Sequence, residues 1–395
     1  MSARTKAALA AGALAVGALA AARPVLDAIV GRVEDRLNPI VDPGRGATVS
    51  DQARALHATL RVADLHADSL LWGRDLNRRG TRGHVDVPRL VEGNVALQVF
   101  SMPVKTPRHL NIEHNEPTSD DILLIAIAKR WPVATWRALL PRVLHLADRA
   151  HRTAAASGGA FRILASQADL ASYLADRERW PGQTAGLLSI EGAHALDDDP
   201  ANVEVVADAG IRMISPSHFF DTAFGGSAHG VEQGGLTAKG REMLARMEAR
   251  GVTLDLAHAS SRTIDGALAI AARPVVASHT GLRGVIDNAR NLPDAQLAGI
   301  AATGGVVGVG FWDVVTGGVD AAAIARSIIY AVERIGPEHV ALGSDWDGAV
   351  RVPFDAAGLV RLTDALLAAG LDEASIRLVM GENVLRLLDV ALPSA

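Results

Sequence analysis

Eight short apolar runs recur along the chain, at residues 61–65, 95–100, 185–190, 211–214, 252–256, 275–277, 305–309 and 340–342, and helical patterns separate most of them. Runs of this length, bounded by Gly, Pro and small polar residues, read as strands buried on both faces, which is the habit of parallel sheets. Parallel neighbours need crossover connections, and the intervening helices supply them. Eight such units close into a (β/α)8 TIM-like barrel. An open doubly wound sheet is the runner-up, but no G-x-G-x-x-G or Walker pattern follows the first run. The chain has 395 residues, of which 49% are hydrophobic, enough for one barrel with insertions, read here as residues 53–395.

Six of the eight runs end in a residue able to ligate a metal or move a proton: His66 with Asp68, Glu191, His218, His258, His279 and Asp345. In a parallel barrel all of these reach the carboxyl-end mouth, where ligands and chemistry gather. Taken singly, an H-x-D triplet or a strand-end histidine is a weak signal; a set distributed over six strand ends is not how core histidines fall. There is no cysteine, so any metal is held by His, Asp and Glu. Three imidazoles and two or three carboxylates suit two Zn²⁺ ions, or Mn²⁺ or Co²⁺. One carboxylate can bridge a pair of ions about 3.5–4 Å apart.

The absence of cysteine also excludes a thiol nucleophile and disulfides, and the net charge of −5 gives no footprint for nucleic acid. At the N-terminus, Arg4 and Lys6 precede an uncharged run over residues 7–22 that closes on Ala20-Ala21-Ala22. This is the order of a secretory signal peptide, or of an N-terminal membrane anchor, over residues 1–24. The expected location is the periplasm or the outer face of the inner membrane, and residues 25–52 read as a linker. Within residues 105–157, Asp120 is placed to cap a helix starting near Ile122, Pro132 to break it, and a second helix to run to about residue 156. His109, His114, His145 and His151 fit no site pattern and are assigned to solvated faces. His194 is expected to orient Glu191 or a ligand, and Asp347 to cap its own loop.

These motifs are D-x-H-x-D at residues 64–68, IEGAH at 190–194, GLTAKGREMLARMEARGVTLDLAHAS, PVVASHTGLRG, ARNLPDAQLAGIAATGGVVGV, LGSDWDG and GENVLRLL. Together they resemble the membrane dipeptidase (renal dipeptidase) family of zinc peptidases, over residues 64–388. The resemblance implies a barrel of the metal-dependent amidohydrolase type with two zinc ions per chain. It implies His66 and Asp68 on one ion, His258 and His279 on the other, and Glu191 bridging them. His218 then corresponds to a substrate-contacting histidine, Arg290 to the arginine near the substrate carboxylate, and Asp345 to the catalytic aspartate. A metal-bridging hydroxide would attack the scissile carbonyl of a small dipeptide, including one with a D-residue at its C-terminal side. The family is compatible with attachment to a membrane through the N-terminal segment and with a homodimer.

Two departures stand out. The segment Ser215-Pro216-Ser217-His218-Phe219-Phe220-Asp221 replaces a Leu-Thr-His-Asn type of sequence, and residues 105–157 match little. Another small amide, such as an N-acyl amino acid, is therefore the alternative substrate. Deaminase, lactonase and phosphotriesterase relatives tend to use a carboxylated lysine or an H-x-H pair, and this chain has neither. A non-enzymatic binding protein on the same scaffold would lack one of the ligands, and all are present.

Overall fold

The computed structural model describes residues 23–41 and 48–394. The proposed signal or anchor segment falls almost entirely outside them. Among the described residues ten strands form one sheet: β1 Val62–Ala67, β2 Val95–Pro103, β3 Phe161–Ile163, β4 Thr184–Glu191, β5 Ile211–Ile214, β6 Thr253–Leu254, β7 Val276–Leu282, β8 Asn291–Leu292, β9 Val306–Val309 and β10 Val340–Leu342. Their order is β6-β5-β4-β2-β1-β10-β9-β7-β8, with β3 beside β4, and every pair is parallel. A parallel bridge between Asp255 and Val276 joins the two ends of the run from β6 to β7. The eight expected runs are thus the eight staves of a closed barrel, and β3 and β8 are short additions to it.

Along the staves the side chains alternate. Asp64, His66 and Gln98 share one face, while Ala63, Leu65, Leu97 and Val99 pack outward. Leu170 and Tyr173 of helix Gln167–Arg179, and Leu385 and Leu388 of helix Asn383–Ala391, cover that outer layer. Truncating one of these fully buried leucines to Ala costs about 2–5 kcal/mol. Two buried carboxylates tie staves together from within. Asp64 accepts from Ser344 N (2.7 Å), Ser344 Oγ (2.8 Å) and Gln98 Nε2 (2.6 Å), joining β1, β2 and the end of β10. Asp255 accepts from Ser278 N (2.8 Å), Ser278 Oγ (2.6 Å) and Ala257 N (3.0 Å), joining the end of β6 to β7.

The crossover helices begin where the sequence caps them. Thr237 accepts from Gly240 N (3.0 Å) at the start of Ala238–Ala249, and Asp120 accepts from Leu123 N (3.1 Å) at the start of Asp121–Ala128. The latter helix stops before Pro132, and Leu140–Ala156 follows. The C-terminal helical region is broken into Glu373–Arg377, a π turn at Leu378–Glu382 and Asn383–Ala391. The reason is Gly381: a Cβ there would lie 1.9 Å from Arg61 O, so the helix bends to let the backbone touch the start of β1.

Residues 25–52, read as a linker, hold more structure than that. Helix Arg23–Leu37 buries Val30 and Glu34, and Asp51–His57 is capped by Ser50. Glu34 Oε1 lies 2.6 Å from Arg74 Nε, and Arg74 in turn pairs with Asp347. Asn38 Oδ1 accepts from Ala349 N (2.8 Å), and Val41 N donates to Val352 O (2.8 Å). What reads as a linker is in part a helix whose buried side chains are stitched to the rest of the protein, through Arg74 and the loop at residues 345–352.

Candidate metal centre at the mouth of the barrel

His66, near the end of β1, begins the site, and Asp68 follows as the chain leaves the strand. Glu191 is the last residue of β4. Gly192 follows with φ 95, a region only glycine enters freely, and a Cβ there would lie 2.3 Å from the His194 ring. His218 follows β5 after Ser215-Pro216-Ser217, and Ser215 Oγ accepts from Gly192 N (2.8 Å) to hold the two turns together. His258 follows β6 and Asp345 follows β10, both with left-handed backbones (φ 63 and 59). For non-glycine residues that conformation is sparsely populated, costs about 1–3 kcal/mol, and clusters at functional sites. His279 lies within β7.

The side chains meet around one oxygen. Glu191 Oε1 lies 3.2 Å from His258 Nε2, 3.2 Å from His279 Nε2 and 3.6 Å from His66 Nε2. Glu191 Oε2 lies 3.5 Å from His218 Nε2. His66 Nε2 is also 3.4 Å from Asp68 Oδ1 and 4.0 Å from Asp345 Oδ1. Three triplets place their ligand atoms within 4.8 Å of one another: His66, Glu191 and His279; Glu191, His218 and His258; His66, Asp68 and Asp345. All seven residues are buried. The structure therefore brings together every strand-end residue of the expected set.

Burial drives the electrostatics. It holds Glu191 and Asp345 well above the usual carboxylate range, with Asp68 adding like-charge repulsion to both. It holds His218, His258 and His279 below the usual imidazole range, helped by the nearby Arg290. Neutral imidazole is the form that binds a metal. His66 goes the other way. Burial opposes its charge, but Glu191, Asp68 and Asp345 outweigh it and push the ring up to about 10, so a proton sits where a cation would neutralise the same three carboxylates. His66 Nε2 and Asp68 Oδ1 are buried with no hydrogen-bond partner. A buried imidazole nitrogen and carboxylate oxygen without hydrogen-bond partners, beside a carboxylate shared by several imidazoles, fit a divalent cation pair held by N and O donors. Around them, Ser278 Oγ lies 2.8 Å from His279 Nδ1 and 3.4 Å from His66 Nδ1, while donating to Asp255. One hydroxyl thus orients two ligand rings.

Arg290 is buried beside this cluster. Its guanidinium donates to His279 O, lies 5.5 Å from the Trp312 ring, and feels Asp345 and Glu191 as its charge partners. Asp347 points away from the mouth. It accepts from Ser69 Oγ (2.5 Å) and His84 N (2.7 Å) and pairs with Arg74, so it fixes the loop that carries Asp345. His194 departs from expectation. It makes no hydrogen bond to Glu191, because the turn after Gly192 swings its ring against Phe220, at a centroid distance of 4.9 Å. Burial, Lys105 and Arg142 lower it to about 3.

Two residues of the mouth carry no role in the sequence reading. The Phe219 ring lies 4.2 Å from His218, 5.0 Å from His258 and 5.3 Å from His229, so it fills the gap among three imidazoles. His229, fully buried, turns Nδ1 to Ile112 O and leaves Nε2 unpartnered, 5.1 Å ring to ring from His258. Its signal was present as a histidine within GGSAHG, but only the contact with residues 105–157 gives it a setting: Asn115 N donates to His229 O (2.8 Å).

A model of the membrane dipeptidase family, peptidase family M19, matches residues 50–392. Among solved structures, the metallopeptidase dipeptidase AC of family M19 aligns with a TM-score of 0.70 and 27% identity, covering 85% of this chain and 100% of its own. A metallopeptidase from Rhodobacter sphaeroides, liganded with a phosphinate mimic of the dipeptide L-Ala-D-Ala, aligns with a TM-score of 0.68 and 26% identity, covering 84% and 99%. Dipeptidase tcpJ of Claviceps purpurea is 26% identical over 319 residues, which is 78% of this chain and 69% of that one.

Proposed function

The chain belongs to the membrane dipeptidase family, peptidase family M19, and is a metallodipeptidase; from that premise we propose that it hydrolyses small dipeptides at a centre of two zinc ions. The observation that carries the reading is Glu191, whose Oε1 lies within 3.2 Å of the Nε2 atoms of His258 and His279 and 3.6 Å from that of His66. His66 and Asp68 would hold one ion and His258 and His279 the other, with Glu191 shared. Bound there, the ions would supply Lewis acidity and lower the pKa of water to about 7, so that it ionises near neutral pH.

The chain's own residues do the rest. Asp345, 4.0 Å from His66 and raised by burial, takes a proton from the attacking water and delivers it to the leaving amine. His218, with Nδ1 buried and unpartnered, offers its ring to the developing oxyanion. Arg290 spends part of one guanidinium edge on His279 O and has donors left for a free carboxylate, which it can grip in two places. Phe219 and the 218–235 loop exclude water from the mouth. A C-terminal D-residue is accepted in this reading, as the R. sphaeroides relative accommodates a mimic of L-Ala-D-Ala.

Export completes the proposal, with Arg4, Lys6 and the uncharged run at 7–22 supporting a periplasmic location or one at the outer face of the inner membrane. The decisive experiment is a panel of L,L- and L,D-dipeptides assayed with purified enzyme before and after chelation and zinc readdition. Turnover of neither series by zinc-loaded protein would overturn the assignment.

A further inference from the structure

Eight of the fifteen large apolar side chains exposed among the described residues sit on three elements that touch in series. Helix Arg23–Leu37 shows Val25 (61% exposed), Ile29, Val33 and Leu37, spaced four apart and therefore on one face. The stripe beside it, holding Val30 and Glu34, is the one buried against the protein. Helix Asp121–Ala128, sequence DILLIAIA, is apolar all round and leaves Leu124 (53%) and Ile127 uncovered. The short turn Val133–Trp136 adds the two residues at its ends, both exposed. A monomer in water seldom leaves so much apolar side chain uncovered in one place, and a helix that is apolar all round is one meant to be covered.

The charges around this face are sorted. Asp27, Glu34 and Asp35 are each drawn to a cation of the protein itself, Lys129 at 3.0 Å, Arg74 at 2.6 Å and Arg82 at 3.0 Å. Arg32 and Arg36 of the same helix remain exposed and border the apolar stripe. Apolar residues flanked by arginine, with a tryptophan at the edge, are the composition of a surface that lies in a membrane interface. The chain outside the described residues points the same way: the 16 uncharged residues 7–22 run directly into helix Arg23–Leu37. That helix also lies outside the matched family region at 50–392. Among the described residues no helix is long and apolar enough to cross a membrane, so the face would lie on a bilayer rather than within it.

We propose that helix Arg23–Leu37, helix Asp121–Ala128 and the Val133–Trp136 turn form a docking face for the surface of an anionic phospholipid bilayer. This gives the 105–157 segment a role that the barrel chemistry does not need. The proposal concerns a face separate from the metal centre, so its failure would leave the dipeptidase reading intact.

The protein has no cysteine, so a single introduced thiol is the only one. Leu124→Cys and Ile29→Cys in the full chain, labelled with an environment-sensitive fluorophore, are mixed with vesicles of phosphatidylcholine alone or blended with phosphatidylglycerol. Ile270→Cys, exposed elsewhere on the surface, is the control. The expected result is a blue shift at positions 124 and 29 with the anionic blend, reduced by high salt, and none at 270. The pair Leu124→Glu with Ile127→Glu should weaken vesicle partition about tenfold or more while leaving dipeptide turnover unchanged. A chain held only by its N-terminal run would bind vesicles with all three probes silent, and that outcome overturns the proposal. So does a blue shift at 124 that grows with protein concentration in the absence of lipid, which would make the face a contact between copies.

Discussion

His258 Nε2 and His279 Nε2 lie 3.0 Å apart, each 3.2 Å from the same oxygen of Glu191. Two neutral imidazoles and a carboxylate do not gather so closely for packing alone, since each loses its water without gaining a full set of partners. Elemental analysis of the purified enzyme should give close to two zinc equivalents per chain. His258→Ala should lose one of them with most of the activity. Full activity at one equivalent would contradict the paired centre.

Asp345→Asn keeps the shape of the side chain and removes its capacity to carry a proton. Turnover should fall by about 10²–10⁴-fold, the usual range for general acid–base groups, with both metals retained. Activity within a few-fold of wild type would move the proton shuttle to another residue.

Arg290 is buried, and its charge needs an anion when substrate is bound. Amidated dipeptides should lose about 100-fold or more in kcat/KM relative to the free acids. Arg290→Lys should weaken dipeptide turnover and leave metal content alone, because a point charge cannot replace the two-pronged grip. Equal turnover of Xaa-Xaa and Xaa-Xaa-amide would show that the substrate is another amide.

Glu34 offers a test of how the N-terminal helix is held. Burial outweighs the pull of Arg74 and raises its carboxyl from the ordinary 4.5 to about 7. Between those values the folded protein keeps a proton that the unfolded chain has released. Stability contributed here is therefore fully present below pH 4.5 and declines as pH rises to 7, by up to about 1.4 kcal/mol per pH unit, with no further loss above. Glu34→Gln cannot ionise, so its Tm relative to wild type should climb by a few degrees from pH 4.5 to pH 8. A mutant-minus-wild-type difference that stays level across that range would show that Glu34 is not titrating.

Fractionation of the native host should place the protein in the periplasm or on the outer face of the inner membrane. Recovery of the full-length chain in the cytosol alone would refute export.

The barrel and its mouth were legible because their signals are local. Each stave announces itself as a short apolar run, and each candidate ligand stands just beyond one, so periodicity and position coincide at His66, Glu191, His258 and His279. What stayed hidden depends on contacts distant in sequence. Helix Arg23–Leu37 looks like a linker until Glu34 meets Arg74 and Asp347. The break in the last helix has its cause some 320 residues earlier, in the backbone of Arg61. His194 carries the motif of a supporting residue, yet the turn at Gly192 sends it to Phe220. His229 and Phe219 acquire a setting only when the 105–120 loop and the 218–235 loop close on each other.

Strand β6 gives the sheet only two residues, and beyond it no ladder joins β6 to β7. The join is the lone bridge at Asp255 and Val276, with Leu256 N on Val276 O and the Asp255 carboxylate on Ser278. His258 and His279 leave from the two sides of that gap. The ring of staves therefore has a clasp, and the clasp lies at the candidate metal centre. A cation that draws the two histidines onto Glu191 would latch the ring as well, so a chelator would act here as a key as much as an inhibitor. It would free one edge of the cylinder, and the expected first place for the backbone to open is that join between β6 and β7.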